Sequence, residues 1–199
     1  MLRLERVRYG TRDRRSSQRG NSLLETALIF LPMCALFFGT IDFGFLFFLQ
    51  NTFQNATREG VRFAITYSTS YGATSCTSSQ ATCITQVVQD NAFGMLAGSK
   101  SSYIIVNYYT ANDLTNPVEQ CQSGTCTLLG TLPQTLTNGT VVNYANQPGN
   151  VVEVLVSQYP WNWMVPLKNY MPGSSINLSA SGVDVLGGLP AGTTTPPNP

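Results

Sequence analysis

Histidine is absent from this chain of 199 residues. That removes the usual general base, the nucleophile pairs built on imidazole and the commonest transition-metal ligand. Charge is scarce as well. Only Arg58, Arg62, Lys100 and Lys168 carry positive charge beyond residue 20, so that part of the chain offers no basic surface for nucleic acid. The run Gly98-Ser99-Lys100-Ser101 lacks the glycine before lysine and the spacing of a phosphate-binding loop. The acids Glu59, Asp90, Asp113, Glu119, Glu153 and Asp184 fall after the apolar stretch described next. Isolated acids on strands and loops are ordinarily solvated. The sequence therefore leads us to expect no enzyme, no catalytic residues, no cofactor, no metal and no small-molecule substrate. No internal repeat is visible.

What the chain does have is one long apolar stretch, residues 23–49, interrupted by Glu25 and Asp42. A bilayer core needs about 20 apolar residues, and acids inside such a segment are expensive and kept for a reason. The preceding 20 residues hold seven arginines against Glu5 and Asp13, a net charge of +5, while the remainder carries −4. A basic head favours the cytoplasmic side, which places the N-terminus inside and the chain after about Gln50 outside. A removable secretory signal fits poorly. The apolar part exceeds the usual 7–15 residues, and Gln50, Asn51, Thr52 and Phe53 offer no small-x-small cleavage site.

Of the five cysteines, Cys34 sits in the apolar stretch as a thiol with no special role expected. Cys76, Cys83, Cys121 and Cys126 lie outside it, and an even number in an extracytoplasmic domain suggests disulfides. Three connectivities are open; local pairs 76–83 and 121–126 are the simplest. Zinc is disfavoured by the absence of CxxC spacing and of histidine.

The segmentation that follows is α+β. Residues 1–20 read as a basic cytoplasmic leader. Residues 21–67 read as one long helix, spanning the membrane over about 23–49 and continuing outside with Phe53, Ala56, Gly60, Phe63, Ala64 and Tyr67 on one face. Pro32 should kink it without ending it. Residues 68–186 form a small extracytoplasmic domain. It opens with a Ser/Thr/Gly linker at 68–80, then a short helix at 81–97 with Ile84, Val87, Val88, Met95 and Leu96 on its apolar face. Strands are expected at 103–109, 151–159 and 176–185, giving an antiparallel sheet. Residues 112–149 read as polar and turn-rich, with a short strand at 139–144. Residues 187–199, rich in Gly, Pro and Thr, read as a disordered tail.

The junction Arg19-Gly20-Asn21-Ser22-Leu23-Leu24-Glu25 joins the basic head to the apolar helix through a single glycine. It resembles the processing signal of type IV pilins, in which a prepilin peptidase cuts after the glycine. The resemblance implies cleavage after Gly20 and a mature start at Asn21. Glu25 then lies one turn on, at i+4, where its carboxylate faces a free ammonium on its own chain or a neighbour's. Taken alone, Glu25 reads equally as an acid reaching water at the membrane edge.

A second block sharpens the choice. Thr40-Ile41-Asp42-Phe43-Gly44 precedes Arg58-Glu59-Gly60-Val61-Arg62-Phe63-Ala64. With Glu25 and Leu31-Pro32, these pieces match in order and spacing the TadE-like family, minor pilins or pseudopilins of tight-adherence (Flp-type) pilus systems. The resemblance covers about residues 20–67 and continues weakly in the strand and aromatic-Pro turn at 151–166. Thr26 stands where the tight-adherence major pilins usually have an aromatic, and Phe45 where Arg is common. Arg58 and Arg62 share a helix face, and Glu59 is within reach of Arg62. Gly60 lets another backbone approach, and Thr40 with Gly44 makes a small-xxx-small step beside Asp42.

The resemblance implies a single-pass inner-membrane protein, N-terminus cytoplasmic and C-terminus extracytoplasmic, acting in pilus assembly and cell adhesion. Its implied partners are the membrane, a prepilin peptidase, other pilins and tight-adherence secretion components. The rival readings are an unprocessed anchor carrying a binding module and an anchored enzyme using outer acids. For the first, Tyr159-Pro160-Trp161-Asn162-Trp163 is the most suggestive feature, although such a cluster more often anchors a core.

Overall fold

The computed structural model describes residues 15–76, 79–163 and 175–199, with side chains from Ser22 onward except that of Thr74. Two compact units divide it, Met1–Phe43 and Gly44–Pro199. Helix α1, Arg15–Ala64, supplies all the described residues of the first. It is already helical upstream of the expected start at Asn21. Most of the leader, residues 1–14, lies outside the described residues.

In the first unit the apolar side chains stand exposed, from Leu23 and Leu24 to Phe37. A continuous apolar surface of this kind, on a helix long enough to cross a bilayer, fits a membrane span. Polar groups there must be satisfied within the helix. The hydroxyls of Thr26 and Thr40 donate to the carbonyls of Ser22 and Leu36 at 2.9 and 2.8 Å. Pro32 lies inside the helix, which continues on both sides of it; one backbone bond is lost and the element persists.

The second unit is built on the rest of α1. A two-residue hairpin, β1 (Ser70–Tyr71) with β2 (Thr74–Ser75), leads to α2, Gln80–Asn91. A short 3-10 helix, Gly98–Tyr103, enters β3, Ile104–Tyr109. Then come β4 (Glu119–Gln122), β5 (Thr125–Leu128), the pair β6 (Gln134–Thr135) and β7 (Val141–Val142), and the long strands β8 (Val151–Asn162) and β9 (Ser175–Val185). The main sheet is antiparallel in the order β5-β4-β3-β8-β9. The architecture is α+β: a long apolar helix followed by a domain with a short helix and an antiparallel sheet.

Alternation decides the faces of the sheet. Ile104, Val106 and Tyr108 of β3 and Val152, Val154 and Val156 of β8 all point into one fully buried layer. Leu49, Phe53, Ala56 and Ala64 of α1 and Ile84 and Val88 of α2 fill that layer from the other side. Two glycines set how close the layers come. A Cβ at Gly60 of α1 would stand 2.7 Å from Val88 Cγ2 and 3.3 Å from Val154 Cγ1. A Cβ at Gly182 of β9 would stand 3.1 Å from the backbone of Thr57. Helix backbone thus lies directly on strand backbone, and Gln50 adds a bond from Nε2 to the Ser179 carbonyl at 2.8 Å.

Three expected segments turn out differently. α2 stops at Asn91 rather than 97, because Phe93 and Gly94 both take positive φ, 51° and 74°; Leu96 still reaches the core from the turn beyond. The stretch 112–149 contributes two strands to the main sheet. β4 and β5 are polar and lack hydrophobic alternation, but Ser123 and Gly124 form a tight turn with φ of 53° and 79°. Positive φ at both central residues is the hairpin signature. The tail, finally, is tied to the domain by hydrogen bonds, although most of its residues stay exposed. Tyr67 OH donates to the Gly187 carbonyl at 3.2 Å and Asn146 Nδ2 to the Pro197 carbonyl at 2.6 Å. The backbone amide of Gln80, at the start of α2, donates to the Asn198 carbonyl at 2.8 Å. Ser79 makes no side-chain cap there, so the tail satisfies an orphan amide of the helix.

Gly60→Ala and Gly182→Ala should each lower the unfolding free energy by about 1–3 kcal/mol, the usual penalty for overpacking. Gly44→Ala, with nothing within 4 Å of an added Cβ, should not. Denaturant unfolding of the three variants in one detergent compares them. A gain of about 0.5–1 kcal/mol at Gly60, typical of an unobstructed helical glycine, would contradict the tight seat.

Candidate functional site

The candidate site begins at the junction. Gly20 and Asn21 lie within α1, so the peptide bond between them is in helical backbone; the Asn21 side chain lies outside what the structure describes. Glu25 is exposed and sits one turn beyond Asn21 on the same face, as the helical repeat requires. Its neighbours around the helix, Ser22, Thr26, Ile29, Phe30 and Met33, form a shallow apolar hollow with it.

The second block divides into inward and outward residues. Asp42 is buried, at 2% exposure. Gly60 faces α2 and β8 of its own domain. Arg58 and Arg62 are on the solvent side, and Arg62 Nη1 donates to Glu59 Oε1 at 3.1 Å. An exposed pair at this spacing contributes about 0.2–0.5 kcal/mol, so its side chains remain available to a partner at little cost. Gly39 and Gly44 face open space. Thus of the two glycines in the sequence block, Gly60 is spent on intramolecular packing and Gly44 is open.

The outer features resolve into structural roles. The disulfides are Cys76–Cys83, tying the β1–β2 hairpin to α2, and Cys121–Cys126, joining facing residues of β4 and β5. Cys34 is a free thiol. Glu119 comes close to Cys121 and Cys126, but both sulfurs are committed to the disulfide. Burial pushes the Glu119 carboxyl up. Glu153 lies on the outer face of the sheet, where Asn107 Nδ2 and Tyr109 OH donate to its Oε2 at 3.0 and 2.8 Å. Burial, and then Glu153, push the Tyr109 phenol up to about 12. Asp113 caps a turn, accepting from the amides and side chains of Thr115 and Asn116. Trp161 belongs to the core and stacks on Phe45, ring centroids 5.4 Å apart.

With this geometry in place, the comparison with known families is specific. Residues 20–62 match the family model described as TadE-like protein. The segment is TadE-like. The match begins at the junction glycine and ends at Arg62, so it takes in Glu25, Asp42, Gly44 and the charged turn around Gly60. No curated protein matches the chain, and no solved structure does. The TadE-like segment points to a protein related to the Tad pilus, and the single apolar helix fits a single-pass membrane protein in such a system.

Sequence reasoning overlooked Phe93, which is 74% exposed at positive φ. The signal was the pair Phe93-Gly94, a glycine just past a helical face, where helices stop.

The bonds from Asn116 and Thr115 hold the Asp113 carboxyl below the usual carboxylate range. A depressed folded value means its contribution is full above the unfolded pKa, about 4, and is lost as pH falls through the folded value. Asp113→Ala should therefore lower thermal stability at neutral pH, with the gap from wild type closing only in acid below about pH 4. A gap that closed between neutral pH and that point would contradict the turn-capping role.

Proposed function

We propose that the protein is a minor pilin or pilus-assembly component of a tight-adherence system, processed after Gly20 and carried into the assembly by its apolar helix. What supports this reading is an exposed apolar helix surface, with Glu25 one turn from the junction and open glycines at 39 and 44, inside a TadE-like segment. The arrangement is structural rather than catalytic. The basic leader holds the junction at the cytoplasmic face. The junction bond is helical, so a peptidase must draw it out into an extended strand. Glycine, with its low helix propensity, makes that local unwinding easier.

After cleavage the new ammonium at Asn21 and the Glu25 carboxylate form a charge pair at the head of the helix. Within one subunit they neutralise each other; between subunits the same pair fixes axial register. Gly44 and Thr40 leave a shallow strip against which another pilin helix packs closely. The protein is stored in the inner membrane with its domain outside, and its partners are the prepilin peptidase, other pilins and tight-adherence secretion components.

Gly20→Ala should block processing, leaving a chain that begins at Met1. Glu25→Ala should still be cleaved but lose most incorporation into pili. Gly44→Leu should fold and be processed, yet assemble poorly. Intact mass of membrane-recovered protein reads the first step, and immunodetection in sheared pilus fractions reads the second. Recovery of a Met1 start from cells with active peptidase would remove the processing step. Normal pili from both Glu25→Ala and Gly44→Leu would remove the packing mechanism.

A further inference from the structure

The turn that follows α2 carries a large apolar side chain that the core does not enclose. Phe93 occupies the position just past the helix where glycine or asparagine is usual, with φ of 51°. Its ring is 74% exposed. An aromatic held in a rare backbone conformation, yet left out of the core, is positioned for contact beyond its own chain.

An aromatic neighbour shows where that contact lies. Phe93 stacks on Phe48, ring centroids 6.4 Å apart. Phe48 belongs to the last turn of the apolar stretch and is itself 47% exposed. On the same part of α1, Phe45 stacks on Trp161. Beside Trp161 is an open cavity lined by Ser99, Lys100, Tyr103, Tyr159 and Asn162. Lys100 is exposed and donates from Nζ to the Tyr159 hydroxyl at 3.1 Å. Among the described residues after Arg62, it is the cationic side chain. Along α1, Trp161 packs on Phe45, Phe93 on Phe48, and Tyr159, which accepts from Lys100, on Phe53, so the apolar rings come first and the ammonium last. That is the order of side chains across a membrane interface, from acyl chain to phosphate.

We propose that this turn seats the domain on the outer leaflet of the membrane that α1 crosses. Phe93 enters the interface beside Phe48, at the headgroup end of the acyl chains, and Lys100 lies at the level of the lipid phosphates, favouring anionic headgroups. The proposal rests on the reading of α1 as a spanning helix. Continuity with that helix is what selects lipid over other occupants, because Phe93 extends a surface that is already lipid-facing at Phe48.

The test uses the full chain in vesicles of phosphatidylcholine with or without phosphatidylglycerol. Phe93→Trp is compared with wild type, using lipids brominated near the headgroup end of the acyl chain. The added emission should be blue-shifted, and most of it should be lost to the brominated lipid. Lys100→Gln should weaken the quenching in phosphatidylglycerol vesicles and leave it unchanged in phosphatidylcholine. Water-like emission insensitive to brominated lipid, in protein that floats with the vesicles and resists carbonate extraction, would overturn the seating and leave the spanning helix standing. Blue-shifted emission that ignores brominated lipid and reverts on dilution into excess lipid would assign the patch to a second copy and overturn the lipid assignment. Extraction by carbonate would overturn the spanning reading and this proposal together.

Discussion

The close seat of α1 on its own sheet is the constraint on which the domain depends. A helix normally packs with its side chains between its axis and the neighbouring layer. Here Gly60 and Gly182 strip side chains from both surfaces, and the backbone at Thr57 rests against β9. Dispersion attractions at such separations are individually small and collectively large. They also depend on shape, so the pairing admits one register. The rest of the core follows from it. Phe53 and Ala56 meet the valines of β8, α2 is set against Gly60, and the Gln80 side-chain amide donates to the Ala64 carbonyl at 3.0 Å. That last bond gives the Ala64 carbonyl, at the end of α1, a second donor beside the Tyr67 amide at 3.2 Å.

The same packing redraws the boundary of the membrane segment. By composition the apolar stretch runs to Leu49, but Leu49 is 1% exposed and belongs to the domain core, while Phe45 and Leu46 pack against it. What is left outside that core is a mostly exposed run of roughly residues 23–44, with Asp42 its buried exception, about 33 Å of helix at 1.5 Å per residue. That matches a hydrocarbon core of about 30 Å. The final apolar turn thus serves two environments, which explains a stretch longer than a bilayer requires.

How legible this was depended on the periodicity each element carries. The face Phe53, Ala56, Gly60, Ala64 and Tyr67 could be read because burial against a single layer imposes a helical repeat. β3, β8 and β9 could be read because one side of the sheet is buried and the other is not. β4 and β5 could not, since their sequences, Glu-Gln-Cys-Gln and Thr-Cys-Thr-Leu, contribute little apolar surface; the disulfide and the Ser123-Gly124 turn define them instead. The attachments of the tail could not be read, because composition reports what a segment can bury, not which backbone groups elsewhere accept or donate to it. At the site, the residues were nameable from spacing, but their division was not. Only three-dimensional neighbours reveal that Gly60 is enclosed and Gly44 open, and no local pattern distinguishes the two.

The shared turn of α1 also has a consequence in time. Residues 49–64 are synthesised first and are indispensable to a core whose other members, β8 and β9, come last. The sheet therefore has no finished surface to close upon until β8 and β9 have been made and can meet residues 49–64 of α1. Formation of the helix becomes the first event in building the domain, and arrival of the C-terminal strands the event that completes it. Until then the valines of β8 and the apolar face of α2 are uncovered, which leaves the incomplete chain prone to association through its apolar surfaces.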